Sequence, residues 1–566
     1  MIFRRSAPGG TAPWLATSGI VALLVVAPVA ALALTASRGS PDLWQHLIAF
    51  VLPLAIRDTF VLLLGVGVLT AVIGTTAAWL VTAYDFPGRR LVDWALLLPL
   101  AVPTYVVAYA YLDLLHPVGP VQTTLRALLG IADPRDFRLP DIRSMAGCIV
   151  LLGFVLYPYV YLTTRAMFLM QTANLIEVAR TLGIGRRGVF FRVAVPLARP
   201  AVAVGLSLVL LETVNDIGAS EFLGIRTLTV SIYATWITRS DLAGAAQMAL
   251  AMLVVAFGLV ILERRARQRR RYANDAQHAR PLEPHRLAGW RGAVALAAGL
   301  VPIAVGFLVP AAYLVDEALA RVRFAGLSSA ILSEIVATIV LSLVATVVTV
   351  GAGLTVAYAV RATGRRAAGV LARMASLGYA VPGTVLAIGL LPVVTGIEAV
   401  VDAGARAVLG LSTGLLLLGS GAAVVYAYVA RFLALVVGSV EAGLSRVPSS
   451  LDEAARTLGE SASGRLRRIH LPLVRPALAT AALLVFVDCM KELPATLLLR
   501  PIGIETLATH LYGEAVRGTY EDAAVAALLI VIAGLAPVIV LARIGRARTM
   551  VIAAVDPLSP DLEENE

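Results

Sequence analysis

Glu212 and Asp216 stand four residues apart in an otherwise apolar run, and Asp488 and Glu492 stand four apart in another. That spacing puts both members of a pair on one face of a helix. A charge near the centre of a bilayer costs at least a few kcal/mol, so an intramembrane carboxylate is a functional hypothesis by default. Asn215 and Lys491 each precede the second carboxylate of their pair. Four carboxylates, an amide and an ammonium could therefore face one another. Three readings stay open. The groups could line a path for a hard metal cation, which prefers oxygen ligands. They could neutralise one another, Lys491 pairing with Asp488 or Glu492, or they could sit at the outer water interface. A path must also release what it holds, so a permanent metal site is not expected.

The elements that carry these groups are membrane helices. The chain has 566 residues, 59% apolar and 15% charged, with a mean hydropathy of +0.85. A soluble domain is about 45–50% apolar and about 25% charged, which excludes that class. A crossing needs about 20 apolar residues. Apolar windows predict twelve spans, at 14–35, 56–82, 91–115, 144–171, 201–217, 243–262, 289–313, 333–360, 370–395, 412–440, 476–493 and 522–542. The fifth and eleventh carry the carboxylate pairs. With the N-terminus inside, 31 basic residues fall in cytoplasmic segments and 13 in outer loops, so the positive-inside rule places both termini in the cytoplasm. Span 14–35 has an apolar run longer than the roughly 7–15 residues of a signal-peptide core, and reads as a helix that stays.

Several chemistries are excluded. Lys491 is the only lysine, so a phosphate-cradling Gly-x-x-x-x-Gly-Lys-[Ser/Thr] loop cannot be present. Any ATP must be hydrolysed by a partner. Cys148 and Cys489 lie in apolar runs and read as core filler. The six histidines never take a His-x-x-x-His spacing, and no His-Glu-x-x-His occurs. An intramembrane enzyme is disfavoured, because no nucleophile is paired with a base. The formal charge of +11 is an orientation signal rather than a nucleic-acid footprint.

The chain repeats itself. Residues 175–203 read LIEVARTLGIGRRGVFFRVAVPLARPAVA and residues 451–479 read LDEAARTLGESASGRLRRIHLPLVRPALA, an offset of 276. Thr59, Gly74 and Pro103 match Thr338, Gly353 and Pro382 at 279, and Thr227 and Tyr233 match Thr506 and Tyr512. Six spans per half make the repeats parallel, related by an axis along the membrane normal. The predicted organisation is a first half at 1–262 with a repeated loop at 172–200, a cytoplasmic linker at 263–290, and a second half at 291–566 with its loop at 441–475. In each loop a short helix stops at Gly183 or Gly459, where a left-handed backbone is free of strain. Pro196 and Pro472 are expected to break the chain direction, and Pro200 and Pro476 to open the next span. Arg165 and Arg431 read as side chains reaching the cytoplasmic interface. Tyr105, Tyr109, Tyr111, Tyr157, Tyr159 and Tyr161 read more readily as interface anchors than as path lining.

The two loops carry a specific resemblance. EVARTLG followed by VP, and EAARTLG followed by LP, look like the coupling loop of ABC importer permeases, Val178 replacing the usual alanine in the first copy. AVPTYVVAYAYL (101–112), YPYVYLTTRAMF (157–168), LETVNDIGASEFLGIRTLTVSIYATW (211–236) and KELPATLLLRPIGIETLATHLY (491–512) are similar to fused, double-length permeases of ferric-iron importers. The resemblance implies an all-α polytopic fold of twelve transmembrane helices in two parallel six-helix repeats, in the cytoplasmic (inner) membrane of a bacterium. It implies docking of two cytoplasmic ATP-binding subunits through Glu177, Ala179, Leu182 and Gly183 and through Glu453, Ala454, Ala455, Leu458 and Gly459. It implies an extracytoplasmic, periplasmic or lipid-anchored, solute-binding protein, with ATP and Mg on the partner subunits and no cofactor or metal on this chain. Ferric iron is the cargo it favours, with thiamine, a phosphonate or a polyamine as alternatives. An ion-driven secondary transporter could share the parallel halves but would have no use for paired coupling loops.

Overall fold

A computed structural model describes residues 11–40, 43–131, 133, 135–170, 179, 181–268, 284–326 and 328–554. Among these, eleven helices are long and apolar enough to cross a bilayer, and two shorter helices meeting at 92° form a twelfth crossing. The first half contains α1 (Ala12–Ser37), α2 (Trp44–Ala83), the broken pair α3 (Arg89–Ala101) and α4 (Thr104–Leu114), then α5 (Pro120–Leu129), α6 (Met145–Met170), α7 (Arg186–Asn215), α8 (Gly218–Phe222), α9 (Leu228–Ile237) and α10 (Leu242–Gln268). The second contains α11 (Trp290–Phe324), α12 (Ser329–Thr363), α13 (Arg366–Ala375), α14 (Gly383–Leu409), α15 (Ala422–Leu444), α16 (Ser449–Thr457), α17 (Ala462–Met490), α18 (Pro494–Leu499), α19 (Leu507–Arg517) and α20 (Tyr520–Ala554). A two-residue strand pair, β1 (Tyr84–Asp85) and β2 (His285–Arg286), ties the segment before α11 to the loop after α2.

The third crossing of the first half breaks at a proline, and that of the second half begins at one. The residue before a proline is pushed out of the α region, and Val102 (φ −105, ψ 121) and Val381 (φ −88, ψ 119) are extended. Pro103 and Pro382 are extended as well and serve as N-caps of α4 and α14. This corrects the predicted ninth span, 370–395, which straddles the break. The crossing is α14, which continues through Glu398, Asp402 and Arg406 to Gly410 in a left-handed backbone. A hydropathy window cannot see the proline, and it discounts polar residues that a helix tolerates.

Pro196 and Pro472 do not end a helix. α7 and α17 run unbroken from their basic starts through both prolines of each loop. Widened turns at Phe190–Ala194 and Leu466–His470 end two residues before Pro196 and Pro472. Similar turns at Leu47–Val51 and Ala304–Leu308 precede Pro53 and Pro310. A proline lacks a donor and its ring crowds the preceding turn, and the π-type turn makes room for it.

The halves are interleaved. α1 packs against α12, α13 and α14 of the second half as well as α10, while α11 packs against α2, α3, α4 and α6 of the first half and against α20. Equivalent tertiary contacts recur: Thr59 Oγ1 accepts the Leu228 N–H at 2.9 Å, and Thr338 Oγ1 accepts the Leu507 N–H at 2.9 Å. The predicted repeat is thus matched at this contact. Cys148 and Cys489 are buried free thiols.

Candidate functional site

All six predicted intramembrane polar residues meet at one cavity of about 170 Å³ between the halves. Its walls come from the two proline breaks, from α6 and α15, and from the ends of α7 and α17. The ends of α7 and α17 supply Glu212, Asn215 and Asp216, and Asp488, Lys491 and Glu492.

The inner carboxylates have structural roles. Asp216 accepts Thr104 Oγ1 at 2.5 Å, and its other oxygen accepts the Ser220 N–H at 2.8 Å and hydroxyl at 3.0 Å. Glu492 accepts the N–H groups of Ala495 at 2.9 Å and Thr496 at 3.0 Å, and the Thr496 hydroxyl at 2.6 Å. Each therefore satisfies the free donors at the start of the short helix that follows it, α8 or α18. Glu492 also receives Arg431 Nη1 at 2.8 Å, an ion pair in which Glu492 is buried and Arg431 nearly so. Lys491 pairs with Asp488 at 2.9 Å. Of the four carboxylates, Asp488 thus pairs with Lys491, Glu492 pairs with Arg431 from outside the predicted set, and Asp216 takes neutral donors. Glu212, half-buried on the cavity wall, makes no hydrogen bond or ion pair among the described residues.

The site is also the seam between halves. Asn215 Oδ1 accepts the Gly383 N–H at 2.8 Å, so a first-half side chain caps the second half's α14. In the other direction Tyr105 donates its hydroxyl to the Lys491 carbonyl at 3.2 Å. Gly383 leaves space for the ion pair: a Cβ there would stand 2.3 Å from Arg431 Nη1 and 2.9 Å from Glu492 Oε1.

Several expectations are corrected. Arg431 does not reach for the cytoplasm, because α15 spans 422–444 rather than the predicted 412–440 and so places it near mid-helix, against the cavity. Arg165 bonds both oxygens of Asp93, at 2.5 and 2.6 Å, beneath the broken crossing. The tyrosines are not interface anchors. Tyr105 and Tyr159 line the cavity, Tyr109, Tyr157 and Tyr161 are buried, and Tyr111 donates to the Val305 carbonyl across to α11 at 2.7 Å. Gly410-Leu411-Ser412-Thr413-Gly414 has the Gly-x-Ser-x-Gly spacing of a hydrolase elbow. It follows a helix rather than ending a strand, and Ser412 donates to Asp402 at 2.8 Å.

The repeated loops match in detail. α16 ends at Gly459, whose φ is +80°; Gly183 has φ +78°. Behind each glycine the same bond closes the turn, Glu460 N–H to Ala455 O at 2.9 Å and Ile184 N–H to Ala179 O at 3.0 Å. Ala455 and Ala179 are buried, whereas Leu458 and Leu182 are 83% and 74% exposed. Glu453 and Ala454 face solvent. Glu177 lies outside the described residues. One anchor was not foreseen: Asp452 receives Arg361 Nε at 2.8 Å, and His470 Nε2 lies 3.2 Å from it. Arg361 also donates to the carbonyls of Leu444 and Val447, so the end of α12 is tied to α16 through Asp452 and to the chain just before it.

The Binding-protein-dependent transport system inner membrane component family matches this chain twice, over residues 70–272 and 349–550. The chain belongs to that family. The permease is 24% identical to the Fe(3+)-transport system permease protein FbpB 2 of Haemophilus influenzae, over 86% of this chain and 89% of that one. It is 26% identical to the probable ABC transporter permease protein y4fN of Sinorhizobium fredii, over 82% and 83%. It is also 26% identical to the sulfate transport system permease protein CysT of a Synechocystis strain, over 46% of this chain and 91% of that one. The permease is thus a fused, double-length, multi-pass importer subunit. Each family match contains one copy of the repeated loop and one carboxylate pair.

Proposed function

We propose that this permease imports ferric iron, driven by two cytoplasmic ATP-binding subunits docked on the coupling loops and fed by an extracytoplasmic binding protein, with both termini in the cytoplasm. The observation that carries the cargo is the cavity's charge: four carboxylates against Arg431 and Lys491, both basic groups already engaged and Glu212 left free. Such a wall favours a hard cation and opposes an oxyanion such as sulfate or a phosphonate. The similarity to an Fe(3+) permease along nearly the whole of both chains supports the same cargo. The exposed Leu182 and Leu458 support ATP-driven rather than ion-driven transport, because a secondary transporter has no partner to cover them.

In this mechanism ATP-driven closure of the two motors pushes the coupling loops together, and the rigid clamp on α16 passes that movement to α12 and α17. The seam contacts, Asn215 with Gly383 and Tyr105 with Lys491, are where the halves must part or slide. The test is uptake of labelled Fe³⁺ into cells lacking the chain and complemented with wild type or Glu212→Gln. Wild type should restore uptake and Glu212→Gln should lower it at least tenfold. Restored sulfate uptake without iron uptake would overturn the cargo.

A further inference from the structure

A second group of titratable side chains converges away from the cavity. Glu334 near the start of α12, Glu505 just before α19 and His510 in its first turns each bring a ligand-type atom within 4.8 Å of the others. His510 Nδ1 stands 3.0 Å from Glu334 Oε1 and 4.0 Å from Glu505 Oε2. Glu334 is 5% exposed, and its other oxygen, Oε2, is buried without a hydrogen-bond partner. A buried carboxylate oxygen normally accepts at least one bond, so this orphan calls for a ligand. Arg500 does not supply it, because its guanidinium pairs with Glu505 Oε1 at 2.6 Å.

The backbone beneath is firmly held. Thr338 donates to the Glu334 carbonyl at 2.7 Å while accepting the Leu507 N–H, and the Thr506 N–H donates to Thr509 Oγ1 at 2.9 Å. The repeat supplies a control. At the offset of 279 the first half carries Ala55, Arg226 and Ser231. It keeps the threonine contact but not the triad, so the scaffold does not require these three side chains. Along α12 the site lies about 40 Å from Arg361 at 1.5 Å per residue, on the side away from the coupling helix.

We propose that Glu334, Glu505 and His510 bind a first-row transition-metal cation at the outer side of the second half, apart from the transport cavity. Two carboxylates and an imidazole suit iron, manganese, cobalt or zinc. Two ligands with bonds of about 2.1 Å at a right angle stand about 3.0 Å apart, the separation already set between His510 and Glu334. Glu505, with its side chain 41% exposed, needs only a small swing inward. Binding releases the Nδ1 proton of His510 to water and replaces the His510–Glu334 contact with two metal bonds, the imidazole keeping its proton on Nε2, and Oε2 is free to complete the coordination. The site goes beyond the importer reading and does not depend on iron being the cargo.

The test is equilibrium dialysis of the tag-free, full-length permease in detergent against Co²⁺ alone, with the visible absorption recorded. Wild type should hold one Co²⁺ per chain. His510→Ala and Glu505→Gln should each weaken binding at least tenfold. Arg500→Gln, which frees Glu505 from its competing partner, should tighten it severalfold, a change that a purely structural role for the cluster would not produce. Glu212→Gln should leave it unchanged. Absence of stoichiometric Co²⁺ in wild type, full binding by both His510→Ala and Glu505→Gln, or loss confined to Glu212→Gln would overturn the site. Iron uptake is not read in any arm, so failure here is distinct from failure of the proposed cargo.

Discussion

Arg431 donates to Glu492 at 2.8 Å across the space between α15 and the start of α18, and the corresponding carboxylate of the first half, Asp216, has no such partner. Arg431 is thus an asymmetric addition to a symmetric frame. Removing one member of a buried ion pair strands the other charge and costs about 3–5 kcal/mol, whereas replacing both is often neutral. Arg431→Met should sharply lower the thermal midpoint in detergent. The Arg431→Met/Glu492→Gln double variant should recover most of it, since glutamine still accepts the N–H groups of α18. Additive losses in the double variant would refute the pairing.

Gly383 sits where a methyl group would overlap Arg431 Nη1. Overpacking of this kind costs about 1–3 kcal/mol. Gly383→Ala should keep the chain folded and inserted but reduce transport at least tenfold, as seen by uptake in reconstituted vesicles beside an unchanged elution volume.

The coupling glycines take a left-handed backbone that costs an L-residue about 1–2 kcal/mol. Gly183→Val and Gly459→Val together should uncouple ATP hydrolysis from uptake. Normal uptake by a stable, membrane-inserted double variant would rule out the coupling role.

Leu458 and Leu182 are exposed and touch little of the permease itself. Leu458→Asp and Leu182→Asp should each leave the unfolding free energy within about 0.5 kcal/mol of wild type, the ordinary range for a surface change, yet together abolish co-purification of the ATP-binding subunits. Retained co-purification would remove these residues from the docking surface.

Asp452 accepts from Arg361 Nε and stands 3.2 Å from His470 Nε2. Asp452→Asn should free α16 from α12, measured as faster amide hydrogen exchange across 449–457 with no change across 422–444. Equal exchange in wild type and Asp452→Asn would show that the clamp does not hold the helix.

The repeat, the coupling loops and the carboxylate pairs were all legible in the sequence because each rests on residue identity at fixed spacing. What was misread depended on where helices end. Pro196 and Pro472 looked like breaks because the widened turns before them leave no mark in the sequence. Pro382 was matched to Pro103, but the break there went unseen because apolar residues flank it on both sides. Arg431 was assigned to the interface because its span was drawn ten residues too early at its start. The clamp on Asp452 joins residues from α12, α16 and α17, distant along the chain, and only packing could bring them together. The same holds for Glu334 with Glu505 and His510.

The interleaving of α1 and α11 bears on how the protein is made. α1 leaves the ribosome before α12, α13 and α14, against which it packs, and these follow only after the rest of the first half and α11. The first half therefore cannot reach its final packing during its own synthesis. Its leading helix waits in lipid with its partner face uncovered, so a chain truncated after α10 should be a substrate for membrane proteolysis rather than a stable half-transporter. Joining both halves in one polypeptide keeps the missing partners at hand, and turns what would be an encounter between two subunits into a step within a single chain.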